Sequence, residues 1–95
     1  MSTKHWFLLQ YKPNSHRLAP RNLHRQGFEA FLPMLAVTQR HSTKFVQQTR
    51  PLFPGYMFVS FALDTMPWHK INSTVGVARL VSFEGRPKAL LPDLI

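Results

Sequence analysis

The segment "RPLFPGYMFVSF", residues 50–61, constrains the fold of this chain more than any other part. Two prolines and a glycine precede a run of aromatic and aliphatic residues, which is typical of a turn that leads into a strand. Because side chains alternate along a strand, one face carries Tyr56 and Phe58. The other face carries Met57, Val59 and Phe61. We therefore expect a central strand that is apolar on both faces.

Short apolar and amphipathic segments surround this strand. The predicted strands are residues 6–11, residues 28–38 with an edge or bulge at Pro33, residues 56–62 and residues 78–83. The predicted helices are residues 15–26 and residues 64–74. The polar residues 39–50 are expected to form a projecting hairpin or a flexible loop, and residues 84–87 a turn.

The ends of the two helices also have sequence signals. Ser15 is a predicted N-cap and Gly27 a predicted stop. Pro20 conflicts with a helix that begins at Ser15, so the helix either bends there or begins near Leu18. Asp64 is the predicted N-cap of the second helix, and Pro67 is tolerable in its first turn.

The resulting order, β-α-β-β-α-β, predicts an α/β fold of the α+β sandwich type. It is the ferredoxin-like pattern, in which helices pack on an antiparallel sheet. At 95 residues we expect a single domain over residues 1–95. Because "LPDLI", residues 91–95, looks like the start of a helix that is not completed, we expect the chain to be a piece of a longer protein.

The charge balance favours a polyanionic partner. Twelve Lys and Arg stand against four Asp and Glu, which makes the net charge +8. Nucleic acid is the first candidate, and an anionic membrane surface is a weaker one. We expect no membrane-spanning segment because no window reaches about 18 apolar residues. We therefore expect a soluble, cytoplasmic protein, and the absence of cysteine fits that compartment. We expect no cofactor.

Enzyme and metal-site patterns are missing from the sequence. The four carboxylates, Glu29, Asp64, Glu84 and Asp93, form no close pair in sequence that would suit acid and base roles. The five histidines lack the spacing of metal ligands, and there is no glycine-rich phosphate loop. We therefore expect a binding protein rather than an enzyme.

One face of the first helix is basic. Arg17, Arg21, His24 and Arg25 lie together on a helical wheel, and Lys12 is at the end of the preceding strand. Such a face could meet successive phosphates, or it could simply be solvated. Lys70 and Arg79 are candidates to extend it.

"GYMFVSF" resembles the signature of RNA-recognition motifs, whose aromatic side chains stack on bases from the third strand of the same fold. Pro54 and Met57 depart from that signature. A single-stranded RNA-binding module in which Tyr56 and Phe58 stack on bases is therefore the alternative function.

A second resemblance spans nearly the whole chain. "WFLLQYKPNS", "NLHRQGFEAFLPM", "PLFPGYMFVSF", "INSTVGVARLVSF" and "GRPKALLPDLI" resemble, in order and spacing, the N-terminal domain of the NusG family of transcription elongation factors. "RQGFEAFLPM" and "YMFVSF" are most similar to the RfaH-type antiterminators. The resemblance implies a monomeric bacterial factor that rides on RNA polymerase and suppresses pausing and termination.

The resemblance also implies the contact residues. Tyr56 and Phe58 match an apolar surface that docks on the clamp helices of the polymerase's largest subunit, with support from Trp6, Phe53 and Pro54. Trp68 and His69 match a segment toward the gate loop of the second-largest subunit, although packing and solvation are equally open roles.

A contact with the non-template DNA strand is implied by a further set of matched residues. These are Lys12, Arg25, Gln26, Lys70 and Thr74. Pro13, Leu18, Asn22 and Val75 replace the Arg or His of the RfaH type, whereas Arg17, Arg21 and His24 put charge on neighbouring positions. A family member would continue into a C-terminal KOW-type barrel.

Overall fold

The computed structural model describes residues 4–63 and 68–90. The elements in chain order are β1 (His5–Tyr11), α1 (Leu18–Arg25), β2 (Glu29–Phe31), β3 (Met34–His41), β4 (Lys44–Pro51), β5 (Tyr56–Phe61), α2 (His69–Asn72), β6 (Val77–Leu80), β7 (Ser82–Phe83) and β8 (Arg86–Pro87). The segment "RPLFPGYMFVSF", residues 50–61, therefore spans the end of β4, a turn and the whole of β5.

Within these ranges, four strands form the main sheet in the order β2-β5-β1-β6, and all its pairs are antiparallel. The connection from β1 to β2 contains α1, and the connection from β5 to β6 contains α2. This is the predicted ferredoxin-like β-α-β-β-α-β arrangement, with the β3–β4 hairpin inserted between its second and third strands. The expected fold class is confirmed.

The core lies between the sheet and the helices. The strands contribute Phe7, Leu9, Met57, Val59 and Phe61, and the helices contribute Ala19, Leu23 and Ile71. The rings of Phe7 and Phe61 stack with their centroids 4.2 Å apart. The alternation predicted for β5 is therefore observed, because Met57, Val59 and Phe61 all lie on the helix-covered face with no exposed surface.

The single strand predicted over residues 28–38 is wrong, because the chain forms two strands there. β2 ends at Phe31 and β3 begins at Met34, so Pro33 lies between them. A proline has no N–H to donate to a ladder, but the Pro33 carbonyl accepts from the Leu52 N–H at 2.9 Å. From there β3 pairs with β4 in a separate two-stranded hairpin. Of the two alternatives for residues 39–50, the hairpin is correct.

Helix α1 begins at Leu18, which was the second alternative for its start. Pro20 then falls in the first turn, where its missing N–H has no intrahelical partner to lose. The Ser15 N-cap is wrong, because Arg17 occupies that position and the Ser15 hydroxyl instead donates to the Pro13 carbonyl at 3.4 Å. Gly27 ends the helix as predicted, with a φ of 88° and its N–H bonded to the His24 carbonyl.

The second half of the chain is more interrupted than expected. Helix α2 is one short turn, shorter than the predicted residues 64–74. The predicted strand over residues 78–83 divides into β6 and β7, and β7 pairs with β8 around the predicted turn. The predicted roles of Asp64 and Pro67, and the helix start at residues 91–95, lie outside the described residues.

Candidate docking face and basic flank

The face of the main sheet opposite the helices carries the two aromatic residues predicted to dock. In the strand register, Leu8 of β1 is opposite Phe58, and Gln10 is opposite Tyr56. Tyr56 is 37% exposed and Phe58 is half-buried. These side chains cannot reach the helix-covered core, because strand alternation points them the other way. We call this surface the open face.

Two further aromatic rings surround Phe58. The Phe31 ring is nearly parallel to it with centroids 6.2 Å apart, and the Phe53 ring is nearly perpendicular at 6.3 Å. Both arrangements are favourable for aromatic pairs. Phe31 was missed in the sequence, although its place opposite Phe58 follows once β2 is known to pair with β5. The Phe58 ring is therefore held in place by protein neighbours on more than one side.

An apolar groove of about 330 Å³ runs across the open face. It is lined by Leu8, Phe53, Tyr56, Phe58 and Leu90. Leu90 is brought to this side because its N–H bonds to the Trp6 carbonyl at 2.8 Å. Leu8 and Leu90 were not predicted as part of this surface. The alternation of "WFLLQY" could have revealed Leu8, because its side chain points to the face opposite that of the buried Phe7 and Leu9. We call this feature the apolar groove.

Of the other residues predicted to contact polymerase, Trp6 shares the open face with Leu8 and Gln10, whereas Pro54 and Trp68 lie elsewhere. Trp6 is half-buried and is opposite Ser60 in the sheet. Pro54 lines a separate groove with Lys12 and Gly55. Trp68 packs against the helix-side core, and its ring stacks on His69 with centroids 3.8 Å apart. The structure therefore gives Trp68 a packing role and places it away from the apolar groove.

The predicted nucleic-acid residues lie just after β1, on or beside α1, and on or just after α2. The exposed members of the set are Lys12, Arg17, Arg21, His24, Arg25, Gln26 and Lys70. Two contacts hold these segments together: the Lys12 N–H bonds to the Gly76 carbonyl at 2.8 Å, and the Asn22 amide donates to the Val75 carbonyl at 2.9 Å. We call this surface the basic flank.

Gln26 and Thr74 are brought into direct contact. The Gln26 amide donates to the Thr74 hydroxyl at 2.7 Å, and that hydroxyl donates to the Lys70 carbonyl at 2.7 Å. Thr74 is only 5% exposed. The pair therefore joins α1 to α2, and the Thr74 hydroxyl already has partners within the protein. His24 is similarly engaged, with Nε2 at 3.3 Å from the Ala30 carbonyl oxygen.

The structure adds two observations on possible chemistry. Among residues 4–63 and 68–90, no group of three or more His, Asp or Glu side chains is arranged to hold a metal ion. In the same part of the chain, no helix is long and apolar enough to cross a membrane.

The fold is similar to a solved structure of Thermotoga maritima NusG, with a TM-score of 0.66 and 21% sequence identity. That match covers 96% of this chain and 52% of the solved chain. Two bacterial proteins named transcription termination/antitermination protein NusG are similar in sequence. The one from Staphylococcus carnosus is 31% identical over 81% of this chain and 44% of its own length. The one from Helicobacter pylori J99 is 37% identical over 60% of this chain and 31% of its own length.

The chain thus spans less than half the length of these two curated relatives. The family described as "Transcription termination factor nusG" matches residues 4–95, which is nearly the whole chain. This chain therefore belongs to the NusG family of transcription termination and antitermination factors.

Proposed function

We propose that this chain binds bacterial RNA polymerase and suppresses pausing and termination, as RfaH-type antiterminators do. The open face docks on the clamp helices of the polymerase's largest subunit. The observation that carries the proposal is the apolar groove, which leaves Tyr56, Phe58 and Phe53 partly exposed on one side of the sheet. In this proposal, residues 1–95 are the polymerase-binding domain of a longer factor that also has a KOW-type domain.

The chemistry of the groove suits a helix. Amphipathic helices place their apolar side chains in hydrophobic grooves, and each 100 Å² of apolar area removed from water contributes about 2.5 kcal/mol. Aromatic side chains at the centre of such an interface commonly carry most of the binding energy. Tyr56 and Phe58 are two positions apart on β5, so both can meet the same helix.

The arrangement of rings favours a protein partner over RNA. A base needs an accessible ring face on which to stack. Phe31 is nearly parallel to Phe58 and Phe53 is nearly perpendicular to it, so neighbouring rings already occupy much of the space around it. A docking helix requires only the apolar surface that remains. RNA binding by the open face is therefore the less favoured function.

Docking would change polymerase by biasing its conformational equilibrium. A factor that binds the closed clamp more tightly than the open clamp shifts the population toward the closed, elongating state. A second contact from Trp68 and His69 to the gate loop would add to this bias. His69 is exposed at the start of α2, and its ring stacks on that of Trp68 with centroids 3.8 Å apart.

The basic flank is proposed to contact the non-template DNA strand. Its exposed cations, Lys12, Arg17, Arg21, Arg25 and Lys70, are all on or next to α1 and α2. Such cations bind phosphates and release counterions, so this contribution should weaken as salt concentration rises. The engaged side chains of Gln26 and Thr74 would then act mainly by positioning the flank.

The polymerase proposal is tested by titrating a coiled-coil fragment of the clamp helices with the double variant Tyr56→Ala, Phe58→Ala. We expect binding to weaken by at least about tenfold, which corresponds to about 1.4 kcal/mol. Phe45→Ala is the matched control, because Phe45 is a 73% exposed aromatic residue on the β3–β4 hairpin. A double variant that bound the fragment normally but lost single-stranded RNA would favour the alternative function.

The DNA proposal is tested separately by crosslinking to non-template bases in a paused transcription complex. The variant neutralises Lys12, Arg21 and Arg25 with glutamine. We expect crosslinking to fall and the crosslinking that remains to depend less on salt than that of the wild type, while binding to the clamp-helix fragment is unchanged. Unchanged crosslinking would rule out the basic flank as the DNA contact and would leave the docking proposal intact.

A further inference from the structure

A second groove adjoins the apolar groove on the open face and differs from it in chemistry. It has a volume of about 640 Å³ and includes Gln10, Tyr56, Asn72 and Arg79 in its lining. Leu8 and Tyr56 line both grooves. We call this second groove the donor groove. Because the two grooves share Leu8 and Tyr56, a helix in the apolar groove could extend a side chain into the donor groove.

Three of the polar residues in the donor groove form a row across the sheet. Gln10 is opposite Tyr56 on one side and opposite Arg79 on the other. Arg79 is exposed, and its side chain lies on the same face of the sheet as those of Gln10 and Tyr56. Among the described residues that line this groove, the Arg79 guanidinium is the only formally charged group.

The hydrogen bonds within the groove leave donors available. The Gln10 amide donates to the Tyr56 hydroxyl at 3.4 Å, so the hydroxyl proton is free to be donated. The Asn72 side-chain oxygen accepts from the Leu80 N–H at 2.7 Å, which leaves the Asn72 amide N–H groups. Together with the guanidinium of Arg79, these groups would complement an anionic oxygen.

The carboxylates among the described residues do not supply that oxygen. Glu29 is on β2, and Arg79 is on β6, three strands away. Along the strands, Glu29 is opposite Ser60, which is four residues from Tyr56 at the end of the row. Strand spacings of about 4.8 Å and rises of about 3.4 Å per residue therefore separate it by more than ten ångströms. Glu84 is in the turn between β7 and β8 and does not line the groove.

We infer that the donor groove binds an aspartate or glutamate side chain of the docked polymerase helix. The acidic residue would be three or four positions from the apolar side chains that fill the apolar groove, because those positions share one helix face. This inference rests on the proposed docking and specifies its polar contact. A protein carboxylate is favoured over a nucleic-acid phosphate because the donor groove is continuous, through Leu8 and Tyr56, with an apolar surface.

The test uses Arg79→Gln and Arg79→Glu with the clamp-helix fragment. We expect binding to weaken by about fivefold for the neutral variant and about twentyfold for the reversed charge, with a smaller salt dependence for Arg79→Gln than for the wild type. Arg40→Gln, on the β3–β4 hairpin, is the control for the change in net charge. Thermal unfolding of each variant checks that the fold is intact.

A charge-exchange scan identifies the partner residue. Each Asp and Glu of the fragment is replaced in turn by Lys, and we expect one replacement to weaken wild-type binding but to restore binding of Arg79→Glu. If the Arg79 variants bind like the wild type while Tyr56→Ala, Phe58→Ala binds weakly, this inference is wrong and the docking proposal stands. If neither set of variants has an effect, the docking proposal itself is wrong.

A third assay separates protein from nucleic acid as the source of the anion. Each Arg79 variant is titrated with a single-stranded DNA oligonucleotide. We expect affinity to change no more than for Arg40→Gln. A selective loss of oligonucleotide binding by the Arg79 variants, with no loss of fragment binding, would overturn the carboxylate assignment in favour of phosphate.

Discussion

The two faces of β5 have the same kind of residues and opposite surroundings. Met57, Val59 and Phe61 are fully buried under α1 and α2, whereas Tyr56 is 37% exposed and Phe58 is only half-buried. Both helices lie on the same side of the sheet, so only one apolar set is covered within the described residues. The difference shows that one strand can divide its side chains between stabilising the fold and binding a partner.

The covered face is packed under the helices, whereas the open face combines packed rings around Phe58 with an accessible groove. On the covered side, the Phe61 ring contacts both Phe7 and Phe28, with centroids 4.2 and 6.4 Å apart. On the open side, the groove beside Phe58 remains accessible. Substitutions on the covered face should therefore reduce folding stability, and those on the open face should reduce binding.

The largest expected effect is on the covered face. Phe61→Ala removes a fully buried ring and should lower the free energy of unfolding by about 3–5 kcal/mol, measured by urea denaturation. Phe58→Ala is the matched variant on the open face, and its half-buried ring should cost about 1–2 kcal/mol. Equal losses from the two variants would contradict the division between the faces.

The next effect concerns how α1 is held against the covered face. Gly76 has a φ of 97°, and a Cβ added there would be 2.9 Å from the Ala19 backbone nitrogen. Gly76→Ala should therefore destabilise the domain by about 2–4 kcal/mol, from overpacking and a left-handed backbone. Gly27→Ala is the control, because its φ is 88° but its added Cβ meets open space. Similar losses in both variants would show that the contact with α1 is unimportant.

The smallest effect tests whether Thr74 supports the fold or contacts DNA directly. Thr74→Val keeps the shape but loses two hydrogen bonds of 2.7 Å, and should cost about 1–2 kcal/mol of stability. Ser73→Ala, which removes an exposed bond to the His69 carbonyl, should cost much less. If Thr74→Val left stability unchanged and reduced crosslinking to non-template DNA, Thr74 would be a DNA contact rather than a packing residue.

Much of the fold could be predicted from residue patterns within single segments of the chain. The alternation of β5 predicted its two faces, and Gly27 predicted the end of α1. The break at Pro33 was read only as an edge or bulge, because a proline does not reveal whether its neighbours continue in the same sheet. Ser15 was assigned as a cap since its side chain suits that role, but Pro20 shifts the helix to Leu18.

Residues of the candidate site were harder to predict when their roles depend on pairing. Tyr56 and Phe58 were found from one strand alone. Phe31 was missed because its position beside Phe58 requires the pairing of β2 with β5. Arg79 was seen as a possible extension of the basic surface, yet its place in a row with Gln10 and Tyr56 requires the order β5-β1-β6.

The amino-acid sequence by itself determined the β-α-β-β-α-β order of the main sheet and its helices, the apolar character of both faces of β5 and the excess of positive charge. These properties depend on the side chains present and on the periods at which they recur, both of which can be read along the chain. Only the tertiary structure decided which face of β5 is covered and which residues complete each groove. Those outcomes depend on contacts between residues far apart in the chain, such as Leu8 with Phe58 and Gln26 with Thr74, which no local pattern encodes.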